Sequence, residues 1–137
     1  MRFQKTTEYA IRVMVYLVNN QEGWYSTNRL HKILNIPYKY LGRLMRTLTT
    51  AGFLEVEMGK QGGYRINKQR SDIYLYEIVG VVEGLESYTR CVLGFPECSD
   101  ENPCPLHKSW LKHQEGLKEL VYNVRLSDLE SGLKIRH

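Results

Sequence analysis

The sequence contains no long hydrophobic segment, no internal repeat and only three cysteines among 137 residues. No apolar run reaches the length of a membrane span, and the N-terminus lacks the pattern of a secretory signal, so we expect a cytoplasmic protein without a membrane partner. With 42% hydrophobic residues, a chain of this length buries a core without disulfides. In a reducing compartment, an odd number of thiols favours metal binding, redox chemistry or catalysis over a disulfide framework.

Acidic residues are scarce in the first half of the chain. Residues 1–70 contain 12 Lys and Arg against 4 Asp and Glu, whereas residues 71–137 contain 7 against 11. This asymmetry indicates that the first half faces a polyanion. Scattered, solvated surface charge remains the alternative on composition alone.

Hydrophobic periodicity predicts three helices before residue 53. Residues 6–20 are apolar on most sides, which is typical of a helix buried centrally or at a subunit interface. Ser26 is a suitable N-cap for a short second helix that ends near Asn35. Pro37 suits the first turn of a third helix, and Gly52 suits its end.

The exposed face of the third helix has no acidic residue and is cationic and aromatic. Alternating apolar residues on either side of the turn 59–63, GKQGG, then predict a β-hairpin with a basic tip. Three helices with a tight connection and a hairpin predict a winged helix-turn-helix over residues 1–70. The fold class is thus mainly α with a small β-hairpin wing.

The third helix would place its N-terminal part in the major groove of double-stranded DNA. The hairpin tip would lie over the adjacent minor groove, where cations are attracted. Instead of contacting DNA, Tyr40 could pack in the core or between helices, and Arg46 could simply be solvated. The predicted DNA-binding residues are Tyr38, Lys39, Tyr40, Arg43, Arg46, Lys60 and Gln61.

Residues 71–137 form the predicted sensor and dimerisation region. A helix is expected from about Leu75 to Gly84, and Pro105 is expected to open a long helix after the cysteine-rich loop. Apolar residues of that long helix recur every three or four positions, as in a coiled-coil seam. We favour a homodimer over folding back of this seam within one protomer. The seam comprises Leu106, Trp110, His113, Leu117, Leu120 and Val124.

The loop 91–107 holds every cysteine of the protein and, just after them, a histidine. Cys91, Cys98, Cys104 and His107 are separated by six, five and two residues. Three thiolates and an imidazole suit zinc or an iron–sulfur cluster, and a metal-free thiol switch remains open. Cys104 precedes Pro105, so we expect it near the N-cap of the long helix, where the dipole favours a thiolate.

An enzyme that uses Cys104 as nucleophile and His107 as base is the alternative from another class. We predict that the protein is not an enzyme, because no oxyanion-hole motif or third orienting group is evident and the basic helix would stay unexplained.

The wing GKQGGYRI, the following IYLYEIVGVVEG, the three-cysteine loop and the closing LSDL resemble the Rrf2 family of bacterial transcription regulators, from the N-terminus to Leu129. The resemblance implies a homodimer that binds palindromic promoter DNA. It also implies an iron–sulfur cluster in the loop, which senses cluster supply, iron, nitric oxide or redox state. Zinc becomes the alternative cofactor.

Matched by position, Cys91, Cys98 and Cys104 are the family's cysteine ligands. His107 matches the fourth ligand of the cluster-assembly branch, which holds a 2Fe–2S cluster. Glu8 matches the acid that the partner subunit donates to a 4Fe–4S cluster in the nitric-oxide-sensing branch. We favour His107 and the 2Fe–2S cluster. The chain departs from the family's usual pattern in its six-residue first gap, in Met58 before the first wing glycine and in Gly42 on the third helix.

Overall fold

A computed structural model describes residues 2–70 and 72–129. Within these residues the chain forms five α-helices and one antiparallel hairpin, which confirms the predicted fold class. The helices are α1 Lys5–Asn19, α2 Thr27–Leu34, α3 Tyr38–Thr50, α4 Leu75–Val82 and α5 His107–Asn123, and the strands are β1 Leu54–Glu57 and β2 Gly63–Ile66. None of the described helices is long and apolar enough to cross a membrane.

The predicted division at residue 70 stays a prediction. Part of the second region, residues 130–137, lies outside the described residues, as does Ser71 at its start.

Helix α1 lies at the centre of the molecule. It packs against α2, α3, α4, β2 and the short 3₁₀ turn Leu126–Asp128. Full burial of an aliphatic side chain contributes roughly 1.5–3 kcal/mol, so this helix supplies a large part of the core energy. The prediction of a centrally buried helix is confirmed. Its buried apolar residues are Tyr9, Ala10, Val13, Met14, Val15 and Leu17.

The connection between α2 and α3 is tight. Ser26 caps α2, since its hydroxyl accepts a hydrogen bond from the backbone N–H of Arg29 at 3.1 Å. Asn35 ends α2 in the left-handed conformation, with φ 54°. Nδ1 of His31 lies 2.6 Å from the carbonyl oxygen of Ile36 and closes the turn. The backbone path fixes the angle at which α3 leaves the body of the protein.

The hairpin is attached to the helices through the segment before α2. Tyr25 and Tyr64 exchange two backbone hydrogen bonds of 2.9 and 2.8 Å. On the neighbouring side, the Arg65 guanidinium lies 4.0 Å from the Trp24 ring centroid and 2.9 Å from a Glu55 carboxylate oxygen. The wing is therefore held in a fixed position beside α3.

Helix α5 begins two residues later than the sequence predicts. Pro105 and Leu106 form a turn, in which the Cys104 carbonyl accepts a hydrogen bond from the N–H of His107 at 3.1 Å, and Leu106 is the N-cap. Cys104 lies two residues before this N-cap, near it as the sequence predicts, with the turn between the thiol and the first helical residue.

The predicted apolar seam of α5 is divided between two surfaces. Trp110 is buried, and Leu117 and Val124 pack partly against the core of the same chain. Leu106 and Leu120 remain 45% and 49% exposed. Folding back on the protomer and an outward apolar surface, considered as alternatives from the sequence, thus both occur on the same helix.

Replacement of Gly63 by Ala should destabilise the fold, by roughly 2–4 kcal/mol. Gly63 has φ +145°, and an added Cβ would lie 2.4 Å from the backbone carbon of Tyr25. Urea unfolding followed by circular dichroism measures the loss. Gly42→Ala is the control, because nothing lies within 4 Å of its added Cβ, and helix propensity predicts a gain of about 0.5–1 kcal/mol there. Equal stability of the two variants would contradict this account of the wing.

Candidate metal centre and nucleic-acid interface

The three cysteines converge at one point of the loop before α5. The Sγ atoms of Cys91, Cys98 and Cys104 all lie within 4.8 Å of one another, and we call them the sulfur triad. The Sγ atoms of Cys91 and Cys104 are 3.6 Å apart, and all three cysteines are free thiols. Residues up to 13 positions apart in sequence are thus brought to metal-binding distances.

His107 lies beside the triad. Its Nδ1 is 3.3 Å from Cys98 Sγ, and its side chain is only 14% exposed. The same Sγ accepts a hydrogen bond from the backbone N–H of Cys104 at 3.4 Å. His107 thus contacts one member of the triad, Cys98, while the group whose ligand atoms all lie within 4.8 Å of one another consists of the three cysteines. The predicted role of His107 as the fourth ligand stays a prediction.

Asp100 contacts the other ring nitrogen of His107 and was not predicted. Its Oδ1 lies 2.8 Å from Nε2 of the histidine. A closed turn holds it in place: Ser99 and Asn102 exchange two backbone hydrogen bonds of 3.2 Å, and the Ser99 hydroxyl accepts a third from Asn102 at 3.1 Å. The turn-forming sequence SDEN between Cys98 and Cys104 was the feature of the sequence that could have indicated a carboxylate close to the cysteines.

The thiols of the triad differ in acidity. Partial burial raises the pKa of Cys91, but hydrogen bonds from the backbones of Phe95 and Leu93 and from the two other thiols outweigh it and bring that pKa to about 7. For Cys98, the backbone hydrogen bond from Cys104 lowers the pKa, yet burial and the neighbouring thiols together raise it. Because metals bind the deprotonated thiol, the lowered pKa of Cys91 favours metal binding at the triad.

The segment leading into the triad is fastened to α5. The indole N–H of Trp110 donates to the carbonyl of Arg90 at 2.9 Å, directly before Cys91. The buried amide of Gln114 donates to the carbonyl of Tyr88 at 2.6 Å. Any displacement of the loop therefore acts on the first three turns of α5.

A second set of hydrogen bonds joins the same segment to α1. One carboxylate oxygen of Glu83 accepts from the Thr7 hydroxyl and from the Gln4 N–H, both at 2.9 Å. The other oxygen accepts from the Tyr88 hydroxyl. The start of α1 and the approach to the sulfur triad thus share one carboxylate.

Glu8 lies in the first turn of α1. Its carboxylate is 3.6 Å from Nζ of Lys5 in the same chain, and its side chain is 30% exposed. Across residues 2–70 and 72–129, the only group of potential metal ligands found is the sulfur triad, and Glu8 is outside it. Its predicted role as a ligand donated by a partner subunit stays a prediction.

The predicted recognition helix presents its aromatic and basic residues to solvent. Tyr38 is 55% exposed, and Lys39, Arg43 and Arg46 are also exposed. Tyr40 is 41% exposed, yet its ring centroid lies 5.6 Å from that of Tyr9 on α1. Tyr40 therefore packs in part against α1, as its alternative role requires, while the remainder faces outward. Its contact with DNA stays a prediction.

The basic residues of this surface carry free positive charge. In the part of the chain that the structure describes, no salt bridge neutralises Lys39, Arg43, Arg46 or Lys60. Lys60 is exposed at the hairpin tip, as is Gln61. An exposed cationic helix and a wing with an exposed cationic tip suit the phosphate backbone of DNA.

A helix-turn-helix with a hairpin wing beside its second helix defines the protein as a winged helix-turn-helix of the DNA-binding class. Residues 3–131 match the Rrf2 family, which is described as an iron-dependent transcriptional regulator. The chain belongs to this family. It is a DNA-binding transcription regulator and not an enzyme.

Known proteins with similar sequences or structures include two regulators called IscR and one called CymR. IscR of Klebsiella pneumoniae (strain 342) is 26% identical over 98% of this chain and 83% of its own. The structure of T. potens IscR has a TM-score of 0.70 at 22% identity, covering 94% of this chain and 85% of that one. CymR (YrzC), the global cysteine regulator of B. subtilis, has a TM-score of 0.74 at 24% identity, covering 94% and 95%.

Proposed function

We propose that the protein is a homodimeric regulator whose binding to promoter DNA is modulated by an iron–sulfur cluster held by Cys91, Cys98, Cys104 and His107. The observation that carries this proposal is the convergence of three thiols in one loop, with the His107 ring 3.3 Å from one of them. Thiolate and imidazole ligands are those that iron–sulfur clusters use.

The arrangement of the donors fits a two-iron cluster. Cys91 lies 3.6 Å from Cys104, and Cys98 lies 3.3 Å from the His107 ring. Two close pairs suit a 2Fe–2S cluster, in which each iron takes two protein ligands. A cavity of about 490 Å³ lies next to the sulfurs, lined in part by Cys98, Cys104 and Phe95. When bound, the cluster would supply a redox-active centre that also reacts with nitric oxide.

A zinc or thiol switch is the second candidate, and the compactness of the triad favours it. Tetrahedral zinc with Zn–S bonds of ≈ 2.3 Å separates its sulfur ligands by about 3.8 Å. The 3.6 Å separation of Cys91 and Cys104 is close to that value. Three sulfurs within 4.8 Å of one another also suit a single ion.

The loop communicates with the DNA-binding half through α1 and α5. Trp110 and Gln114 hold the approach to Cys91 on α5, and Glu83 connects it to the start of α1. Helix α1 in turn packs against α3. Gain or loss of a ligand in the loop can therefore alter the placement of the two recognition helices. A coupling of about 1.4 kcal/mol already changes DNA affinity tenfold.

Dimerisation is supported by the outward part of α5. Leu106 and Leu120, which are 45% and 49% exposed, lie on one side of a helix that also covers the core of its own chain, whereas Leu111 and Tyr122 lie on the opposite side. The surface proposed for dimerisation is the side of Leu120. Apolar surface of this kind is stabilised by a partner, and a homodimer buries the same surface twice.

Anaerobic purification should yield a coloured protein with stoichiometric iron and acid-labile sulfide, or one that acquires them on reconstitution. Cys104→Ala should abolish the absorption of the cluster while thermal unfolding still shows a folded protein. A colourless protein that cannot be reconstituted would contradict the cluster, and stoichiometric zinc would favour the second candidate.

His107→Ala and Glu8→Ala separate the two predicted fourth ligands. If His107 is the ligand, its replacement should change the electron paramagnetic resonance spectrum of the reduced cluster, while Glu8→Ala should leave the spectrum unchanged. The reverse result would assign the partner's acid in place of the histidine.

Arg43→Glu and Lys60→Glu should each weaken binding to a mixed-sequence DNA duplex by roughly tenfold or more, since charge reversal replaces attraction to phosphate by repulsion. The wild-type affinity should also fall steeply as salt rises. Lys112→Glu is the charge-matched control on an exposed position of α5. Fluorescence anisotropy at several salt concentrations measures the effect, and unchanged affinity of both variants would refute the proposed docking.

Leu120→Glu should raise the dimer dissociation constant at least about tenfold, because an apolar contact is lost and a carboxylate is buried. Sedimentation velocity over a concentration series measures the shift, again with Lys112→Glu as the control. A wild-type monomer at micromolar concentration, or a variant that dimerises as well as the wild type, would contradict this interface.

A further inference from the structure

We propose that Asp100 is a positioning residue of the metal centre: it fixes the His107 ring so that the histidine binds the metal through Nδ1. The inference rests on the proposed metal centre, and it holds whether the loop takes an iron–sulfur cluster or a single ion. What carries it is the pair of contacts that the two ring nitrogens make.

The hydrogen-bond partners decide which nitrogen of the neutral ring holds the proton. A carboxylate only accepts hydrogen bonds, so Nε2, at 2.8 Å from Oδ1 of Asp100, must be the donor. Nδ1 then has a free lone pair, and it is the nitrogen that lies 3.3 Å from Cys98 Sγ. Nδ1, the only ring nitrogen with a lone pair for a metal, thus faces the sulfur triad.

The backbone supports this orientation on both sides. Asp100 belongs to the turn closed by Ser99 and Asn102, so the backbone that carries its carboxylate is held by hydrogen bonds within the turn. His107 is the first residue of α5, and its N–H donates to the carbonyl of Cys104. The carboxylate and the ring are therefore held by separate elements that meet at the triad.

Loss of Asp100 should weaken the site without destroying it. Partners of metal-bound histidines typically change metal affinity by 10–100-fold. The Asp100 side chain is 88% exposed, and solvent screens its charge, so we expect the lower end, about tenfold.

Co²⁺ titration of the reduced, metal-free protein tests this without iron or sulfide. Thiolate-to-cobalt absorption reports binding, and Asp100→Ala should lower the Co²⁺ affinity about tenfold. Asp100→Asn should restore most of the affinity, because the amide oxygen still accepts from Nε2–H. Glu101→Gln removes a charge from the adjacent position of the same loop and should have no effect. In a His107→Ala background, Asp100→Ala should cause no further loss.

Long-range proton–nitrogen spectra of the Zn²⁺ form supply a second readout, in which Nδ1 of His107 should be metal-bound and Nε2 protonated. Coordination through Nε2 would overturn the inference, as would an equal loss from Asp100→Ala with and without His107. Failure of the protein to take up iron and sulfide, with these cobalt and zinc results intact, would contradict the cluster but leave the role of Asp100 standing. A protein that assembles a cluster but whose Co²⁺ affinity is unchanged by replacement of Asp100 or His107 would contradict the role of Asp100 and leave the cluster proposal standing.

Discussion

Helix α1 is buried on nearly every side, and both halves of the chain pack against it. Its neighbours include the recognition helix α3, the second wing strand β2 and helix α4, which precedes the cysteine loop. A helix whose apolar residues cover most of its circumference must be surrounded to be stable. The DNA-reading part and the loop-bearing part therefore share one core instead of being joined by a linker. For a regulator this shared packing matters, because the DNA-binding helix α3 and the helix that precedes the cysteine loop contact the same helix.

The hydrogen bonds around Glu83 connect α1 with the segment that leads into the cysteine loop. The carboxylate joins the N-terminus of α1 to Tyr88, and the carbonyl of Tyr88 is held by Gln114 of α5. Three residues beyond Tyr88 lies Cys91, the first member of the sulfur triad. The ligand loop thus starts from a fixed point, and its remaining length is free to adjust around a bound group.

Local signals were enough to predict the helices, the wing and the four loop donors. Ser26 as N-cap, the helical spacing of Leu41, Leu44 and Leu48 and the glycine-rich turn each reflect short-range physics that the sequence states directly. Two expectations about α5 were wrong or incomplete for the opposite reason. Pro105 is compatible with the first turn of a helix and also with a turn that precedes the helix. The folded chain places it in the turn that precedes α5. Likewise, the apolar spacing of α5 could not tell which side meets the core of the same chain and which remains exposed.

The sequence by itself determined the winged helix-turn-helix, the basic surface and the set of soft ligands, because each depends on residue type and on spacing along a single element. The tertiary structure decided how those ligands are arranged. It placed Cys91 next to Cys104, and Cys98 next to His107, and it brought Asp100 to the far side of the histidine ring. These contacts join residues whose separation in sequence carries no periodic signal, so they follow only from the way the loop folds back on itself. The charge of the first half was visible in the composition, but only the folded chain shows which basic residues pair with acids, as Lys5, Arg65 and Arg70 do, and that Lys39, Arg43, Arg46 and Lys60 form no salt bridge within the described residues.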